Sequence, residues 1–220
     1  MTSNATSCSA WRLYVIIDRA AIGARDLREM ASGAIHGGAD VIQLRDKAAS
    51  TRTLLEEARA LLPLTHAANI PLIINDRADV ARAVGADGVH VGQDDLPVKE
   101  ARDIVGPGHV IGKSTHSVEQ ARAAQEEGAD YLGLGPIFPT PTKPDYRSVG
   151  VEMIRHVVPN VHVPIICIGG IERSNLRQVL EAGAVCVAVV RAVCRASNPE
   201  ATTRALKDTV VQCVRTKVSS

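Results

Sequence analysis

The chain has 220 residues and a formal net charge of +1, and only 2% of its residues are aromatic. This length suits one α/β barrel or a similar single domain. The near-neutral charge does not favour a nucleic-acid partner, and so few aromatic residues leave little with which to stack bases. Because 45% of the residues are hydrophobic, the core must consist mainly of Val, Ile, Leu and Ala, as in parallel strands buried on both faces.

The N-terminal segment and the cysteines indicate the cellular compartment of the protein. Residues 1–6 are polar and lack the basic and apolar regions of a signal peptide, and no apolar run is long enough to span a membrane. The five cysteines form no CxxC pair, which argues against a zinc or redox centre. We therefore expect a reduced, cytoplasmic protein.

Short apolar runs alternate with amphipathic helical segments along the chain. Several of the runs are β-branched and unbroken, as expected for strands that are buried on both faces. The predicted strands are 13–18, 41–45, 72–75, 88–91, 110–114, 131–135, 165–168 and 186–190.

Three of the intervening segments carry helix signals. Segment 50–66 places leucines at helical spacing. Segment 117–127 opens with Ser117 and has Gln120 three residues later, the pattern of a capping box. Segment 174–182 precedes Gly183, which suits a helix C-cap.

A Gly-Ala pair recurs before four of the predicted strands, at 38–39, 85–86, 128–129 and 183–184. The glycine ends a helix, and the small alanine permits close packing where the next strand begins. The repeat indicates a structural role and carries no chemistry.

Eight βα units in a chain of this length predict an α/β fold, a TIM (β/α)8 barrel in a single domain. An open doubly wound sheet is the alternative. We assign the barrel to residues 11–217, with a loose tail at 1–10 and another after Lys217. In a TIM barrel the catalytic groups lie at the carboxyl ends of the strands, and polar residues follow the predicted strands throughout this sequence.

Two aspartates close neighbouring apolar runs in the middle of the chain, Asp76 and Asp95. Mg²⁺ is usually held by one or two carboxylates together with substrate phosphates. The basic residues Arg45, Lys47 and Lys143 occupy comparable positions after other runs. The pattern therefore predicts an enzyme that acts on a diphosphate, although either aspartate could instead cap a helix.

Six segments, taken together, resemble the thiamine phosphate synthase family over roughly residues 13–193. They are QLRDK at 43–47, INDR at 74–77, DGVHVGQDD at 87–95, GKSTHS at 112–117, GLGPIFPTPTK at 133–143 and IGGI at 168–171. The resemblance implies a transferase of thiamine biosynthesis, which couples 4-amino-2-methyl-5-hydroxymethylpyrimidine diphosphate to a thiazole phosphate. The products are thiamine phosphate and diphosphate. In that family the diphosphate leaves first, and the thiazole nitrogen attacks the resulting pyrimidinylmethyl cation.

The resemblance also implies the site residues. The magnesium ligands are Asp76 and Asp95, and the neighbouring Asp94 faces solvent. The pyrimidine diphosphate is bound by Gln43, Arg45, Lys47, Asn75, Ser114 and Lys143. The thiazole phosphate is bound by Thr140, Pro141, Thr142, Gly170, Val190 and Arg191. Mg²⁺ is the implied cofactor and the two small molecules are the implied partners, without nucleic acid or membrane; a homo-oligomer is left open.

Several of these residues also have simpler interpretations. Arg45 could form an ordinary ion pair with Asp46. His116 fits a structural role better than that of a general base, because the coupling needs little acid–base help. The segment 136–150 is longer than a typical βα loop, so it is either a binding loop or a solvated one. Arg191 stands where members of the family carry a small hydroxyl residue.

Other functions remain as alternatives. A thiazole tautomerase-like enzyme would share the barrel, but it needs no diphosphate-binding residues. A non-catalytic sensor of thiamine precursors should have lost a metal ligand or a diphosphate-binding base. A general phosphate-binding barrel leaves the paired aspartates unexplained.

Overall fold

The structure is a computed structural model that describes residues 8–141 and 147–218. Eight parallel strands close into a barrel in chain order, and β1 pairs with β8. The predicted TIM barrel is therefore confirmed, and the open sheet is excluded. The strands are β1 (Leu13–Asp18), β2 (Val41–Arg45), β3 (Leu72–Asn75), β4 (Gly88–Val91), β5 (Val110–Thr115), β6 (Tyr131–Leu134), β7 (Ile165–Ile168) and β8 (Cys186–Val189).

Helices follow the strands and surround the barrel. They are α1 (Arg19–Ile22), α2 (Leu27–His36), α3 (Thr51–Ala67), α4 (Ala78–Val84), α5 (Val98–Val105), α6 (Val118–Glu126), α7 (Glu152–Val157), α8 (Leu176–Glu181), α9 (Arg191–Cys194) and α10 (Pro199–Val218). Within residues 8–141 and 147–218, none of the helices is long and apolar enough to cross a membrane.

The predicted boundaries agree with the structure to within about two residues. Helix α6 begins after Ser117, whose hydroxyl accepts a hydrogen bond from the Gln120 amide at 3.2 Å. The Gln120 side chain accepts from the amide of His116, one residue before the position that a standard capping box uses. Ser50 caps α3 in the same way, accepting from the Thr53 amide at 3.1 Å.

Alternate residues of each strand face two different apolar regions, as the two-residue period of a strand requires. In β1, Leu13, Val15 and Ile17 pack against the helices, whereas Tyr14 and Ile16 point into the barrel. The inner cluster fills the amino-terminal half of the barrel with Trp11, two tyrosines and smaller apolar side chains. Above this cluster, both apolar and polar side chains line an open cavity.

The Gly-Ala repeats precede a recurring pair of hydrogen bonds at the amino-terminal ends of the strands. In three of the four, the next residue is an aspartate, and its amide donates to the carbonyl of a residue on the preceding strand. The aspartate carboxylate accepts the amide of that same residue, so both backbone groups are satisfied. The pairs, with N···O distances of 2.7–3.0 Å, are Asp40 with Leu13, Asp87 with Leu72 and Asp130 with Ile111. We call these three pairs the lower rim; the fourth repeat has Val185 in place of aspartate.

The N-terminal segment enters the packed structure before residue 11. Residues Cys8–Ala10 form one 3-10 turn, and the Trp11 amide donates to the carbonyl of Cys8 at 3.2 Å. Cys8 also packs against the inner cluster. The assignment of 1–10 as a loose tail stays a prediction, and residues 1–7 lie outside the described residues.

Candidate active site

The carboxyl ends of the strands surround a cavity of about 320 Å³. Each of the eight strands contributes at least one residue to its wall. Predicted site residues that line this cavity are Gln43, Arg45, Asn75, Ser114, Thr140, Pro141, Gly170, Val190 and Arg191. The barrel therefore brings together residues predicted for both substrates.

The other predicted site residues fall into two groups. Lys47, Asp76 and Asp95 lie beside the cavity and not in its wall. Thr142 and Lys143 lie outside the described residues.

Asp76 sits in a turn with an uncommon backbone conformation. Its φ angle is +64°, a left-handed value that aspartate tolerates better than most residues. Its amide donates to the carbonyl of His90 on β4 at 2.7 Å, which ties the turn to the neighbouring strand. Helix α4 has Arg77 at its N-cap, so Asp76 does not cap that helix.

The carboxylates of Asp76 and Asp95 face one another. Burial, followed by a hydrogen bond between the two carboxyl groups, raises the pKa of Asp76, and the ammonium group of Lys47 opposes this rise. Lys47 forms an ion pair with Asp76. Two acids that approach so closely form a site where a positive charge is favoured.

Asp95 is held in place by the loop that follows β4. Its carboxylate accepts the amide of Gly92 at 2.8 Å, and the ammonium group of Lys113 donates to the carbonyl of Gly92 at 2.8 Å. The Gln93 amide group donates to the Ser114 carbonyl at 2.5 Å. Helix α5 has Pro97 at its N-cap, so the helix-cap interpretation fails for Asp95 also, and Asp94 is exposed, as expected.

Arg45 forms its ion pair with Asp18 and not with Asp46. Asp18 is 2% exposed and lies at the end of β1, in register with Arg45. Asp46 instead accepts the amides of Ala48 and Ala49 at 2.9 and 3.0 Å. The buried carboxylate of Asp18 thus holds the Arg45 guanidinium at the wall of the cavity.

The loop after β6 packs on the double glycine that follows β7. The amide of Phe138 donates to the carbonyl of Gly169 at 3.0 Å. A Cβ atom on Gly169 would lie 2.4 Å from Pro136, and one on Gly170 would lie 2.7 Å from the Cβ of Phe138. Both glycines have positive φ angles, so these positions require glycine for conformation as well as for space.

Two further predicted residues lie where the chain leaves β8. Val190 is the N-cap of α9, and Arg191 is its first residue and is exposed. The first amides of a helix have no acceptor inside the helix, so they are available to an anion. His116 also lines the cavity, and its Nδ1 atom contacts the Gly135 carbonyl; its structural role stays a prediction.

Cavity residues that were not singled out from the sequence include Tyr14, His90 and Tyr131. Tyr14 and Tyr131 form a hydrogen bond at 3.0 Å, and Tyr131 contacts His90 at 3.0 Å. A signal for these residues exists in Gly112, which lies in a strand between His90 and Tyr131 in register. Glycine inside a strand often marks the close approach of another group, and a Cβ at Gly112 would lie 2.1 Å from the Tyr131 ring.

The fold and the site together define a class of protein. It is a TIM-barrel enzyme whose cavity lies at the carboxyl ends of the strands, beside a pair of carboxylates and several cationic side chains. Such a site suits phosphorylated small molecules.

Comparison with known proteins identifies the family. The family model described as thiamine monophosphate synthase matches residues 13–193. The thiamine-phosphate synthase of Roseiflexus sp. (strain RS-1) is 50% identical over 88% of this chain and 83% of its own length. The thiamine-phosphate synthase of Chloroflexus aurantiacus is 49% identical over 90% of this chain and 91% of its own length.

A solved structure supports the same assignment. The thiamine phosphate pyrophosphorylase from Pyrococcus furiosus superposes with a TM-score of 0.86 and 40% identity, covering 93% of this chain and 97% of that chain. The chain belongs to the thiamine monophosphate synthase family, and its role is the synthesis of thiamine phosphate.

Proposed function

We propose that this chain couples the pyrimidine diphosphate to the thiazole phosphate at the cavity described above, with Mg²⁺ as cofactor. The observation that carries the proposal is that one cavity of about 320 Å³ has in its wall residues expected for each of the two substrates. A shared cavity lets one enzyme hold both reactants in contact, which removes much of the entropic cost of the encounter.

The pyrimidine diphosphate would occupy the side of the cavity formed by the ends of β2, β3 and β5. Gln43 is 2% exposed and so can recognise the ring with little competition from water. Arg45 supplies positive charge for the diphosphate, and its pairing with Asp18 keeps the guanidinium oriented. Ser114 supplies a hydroxyl, and Lys143 is assigned to the diphosphate by family resemblance alone.

The residues Asp76 and Asp95 fit a magnesium ion. Their carboxyl groups are close enough to share a hydrogen bond. Burial, followed by this proximity, raises the pKa of Asp76, so a divalent cation would relieve the repulsion. Among the described residues no group of three His, Cys, Asp or Glu side chains is arranged for a metal. Water and diphosphate oxygens would complete the coordination, as Mg²⁺ prefers. When bound, the ion would neutralise charge on the leaving diphosphate.

The thiazole phosphate would lie between the loop after β6 and the loops after β7 and β8. Thr140, Pro141 and Gly170 line that side of the cavity. The amides at the start of α9, near Val190 and Arg191, can donate to phosphate oxygens. Arg191 adds a positive charge there, in place of the small hydroxyl residue that other members of the family carry.

The protein's own residues then act by position and charge. Arg45 and Lys47 stabilise the diphosphate as the carbon–oxygen bond breaks and the electron pair leaves on oxygen. The walls of the cavity hold the thiazole nitrogen near the carbon where the new bond forms. A reducing, cytoplasmic location stays a prediction, and the oligomeric state stays open.

The decisive experiment measures release of diphosphate by the purified chain with each substrate alone and with both, in Mg²⁺ and in excess chelator. We expect release only with both substrates and the metal. Full activity in chelator would refute the magnesium assignment. If diphosphate is not released but a thiazole phosphate still binds, the tautomerase-like enzyme or the non-catalytic sensor is favoured.

A further inference from the structure

A chain of hydrogen bonds crosses the interior of the barrel beneath the cavity. Gln43 Nε2 donates to Tyr14 Oη at 2.7 Å, and Tyr14 Oη lies 3.0 Å from Tyr131 Oη. Tyr131 Oη lies 3.0 Å from His90 Nδ1, and His90 Nε2 lies 2.9 Å from Ser114 Oγ. This chain of hydrogen bonds joins Gln43, assigned to the pyrimidine ring, to Ser114, assigned to the diphosphate.

When both tyrosine hydroxyls donate within this chain and His90 is neutral, its hydrogen bonds can run in only two directions. Each hydroxyl donates one hydrogen, and a neutral imidazole donates from one nitrogen and accepts at the other. If Gln43 donates to Tyr14, then Tyr14 donates to Tyr131, and Tyr131 donates to His90 Nδ1. His90 Nε2 must then donate to Ser114, which leaves the Ser114 hydroxyl hydrogen for a ligand. In the reverse direction Ser114 donates to His90 Nε2, His90 Nδ1 donates to Tyr131, and Tyr131 donates to Tyr14. Tyr14 then donates to Gln43, whose amide must turn so that Oε1 accepts.

The placement of Gln43 selects the first direction, because its Nε2 atom faces Tyr14. The acceptor that Gln43 offers to the cavity is then Oε1. An anionic oxygen beside Ser114 selects the same direction, since such an oxygen can only accept a hydrogen bond. Both ends of the chain therefore agree on one arrangement.

The two tyrosine hydroxyls are suited to donate hydrogen bonds in this direction. Tyr14 and Tyr131 are 2% and 1% exposed, and burial raises the pKa of each above the ordinary value for tyrosine. Both stay protonated near neutral pH, so each has one hydrogen to donate. Gly112 and Gly133 leave the necessary room, because Cβ atoms there would lie 2.5 Å from His90 Nδ1 and 3.1 Å from His90 Cε1.

We propose that Tyr14, Tyr131 and His90 are positioning residues that couple the hydroxyl of Ser114 to the amide orientation of Gln43. A diphosphate oxygen at Ser114 holds Gln43 Oε1 toward the cavity, so that the site accepts a pyrimidine carrying an amino group and disfavours one carrying an oxo group. As the carbon–oxygen bond breaks, the amino nitrogen donates electron density to the ring, and an acceptor at Oε1 stabilises that change. This inference rests on the proposed function for the identity of the ligand.

The test compares two pyrimidine diphosphates that differ in one group, the amino substrate and its oxo analogue. The quantity measured is the ratio of the inhibition constant of the oxo analogue to the KM of the amino substrate. In Tyr131→Phe the chain is broken two links away from Gln43, and we expect this ratio to fall about 10-fold, as loss of one oriented hydrogen bond predicts. The KM for the thiazole phosphate should not change.

Thr115→Val is the matched control. Thr115 is fully buried on the same strand as Ser114, its hydroxyl donates to the Gly133 carbonyl, and it is not part of the chain. Its amino-to-oxo preference should match that of the unaltered enzyme. An unchanged preference in a folded Tyr131→Phe variant would overturn the proposal, since a purely structural tyrosine would affect stability and not this ratio.

A second measurement needs no variant to be active. Nitrogen-15 NMR of the full chain at pH 8, with and without inorganic diphosphate, reports which nitrogen of His90 carries the proton; His90→Gln assigns the signal. We expect the hydrogen on Nε2 in both samples. A hydrogen on Nδ1, or on both nitrogens, would overturn the proposal. Failure of the unaltered protein to turn over its substrates would refute the proposed function. The NMR measurement would still test the direction of the hydrogen bonds.

Discussion

The two ends of the barrel use aspartate in opposite ways. At the lower rim, Asp40, Asp87 and Asp130 each accept a backbone amide and lie near a basic side chain. At the upper end, Asp76 and Asp95 face each other, and burial together with that proximity raises the pKa of Asp76. Asp76 and Asp95 also have partners, Lys47 and the Gly92 amide, so the difference between the two ends lies in the contact between the two acids. A carboxylate paired only with donors stabilises the fold, whereas two carboxylates held against one another favour a cation.

The largest effect should come from Asp76→Asn. Asparagine keeps the tolerance for a positive φ angle but loses the charge. We expect diphosphate release to fall at least about 100-fold, because metal-ion stabilisation of a transition state amounts to several kcal/mol. The free energy of unfolding should be unchanged or slightly higher, since a like-charge contact is removed.

The control for that variant is Asp94→Asn, at an exposed acid beside Asp95. It should retain turnover and the same dependence on Mg²⁺. Equal losses in the two variants would mean that the net charge of the loop, and not a specific ligand, is what matters.

The second prediction concerns the lower rim. Asp130→Ala removes the acceptor for the Ile111 amide and the partner of Arg102, at 2.7 and 2.6 Å. The free energy of unfolding should fall by about 1–2 kcal/mol, because a backbone amide loses a charged acceptor. Chemical denaturation measures this change, and kcat/KM should stay the same.

Asp103→Ala provides the comparison, since Asp103 is an exposed acid on helix α5. We expect the free energy of unfolding of this variant to change little. If Asp130→Ala reduced kcat/KM without reducing stability, the conclusion that the lower rim serves stability and the upper end serves activity would be wrong.

A smaller effect is expected at high pH. Burial raises the pKa of Tyr14 and Tyr131 in the folded state above the ordinary value of 10.0. Below pH 10 the folded and the unfolded protein both keep these protons, so the tyrosines contribute their full stabilisation. Above pH 10 the unfolded protein releases the protons first. Stability should therefore fall as the pH rises above 10.

The measurement is chemical denaturation at pH 8, 10 and 11, with tyrosinate absorbance recorded on the folded protein. Tyr14→Phe should reduce the slope of stability against pH. A tyrosinate signal from both residues near pH 10 in the folded state would contradict the burial argument.

The smallest effect should come from Val185→Asp. Val185 is 43% exposed and stands where the other three Gly-Ala repeats carry aspartate. A carboxylate there can accept a backbone amide of β7, and we expect a gain of up to about 1 kcal/mol in the free energy of unfolding. No gain on thermal and chemical denaturation would indicate that the lower rim also needs its basic partners, such as Arg102 and Lys207.

Much of the molecule could be predicted from local sequence. Apolar runs marked the strands to within a residue or two, because buried parallel strands leave an unmistakable β-branched pattern. The Gly-Ala repeat was correctly interpreted as structural. Its aspartates were not recognised as partners of the preceding strand, since such a contact depends on strand register, which a single segment does not contain.

The candidate site was predictable to the extent that its residues form motifs. Gln43, Asn75 and Ser114 line the cavity because each lies near the end of a strand. The partner of Arg45 was missed, since Asp18 lies 27 positions away and reaches it only through the pairing of β1 with β2.

The sequence by itself determined the alternation of elements, the family and the chemical nature of the site, because these depend on residue types and spacing. Only the tertiary structure decided which polar groups meet. It placed Tyr14, His90 and Tyr131 in one hydrogen-bonded chain, and it set Asp76 against Asp95. The physical reason is that the closure and register of the barrel bring together side chains from distant parts of the sequence.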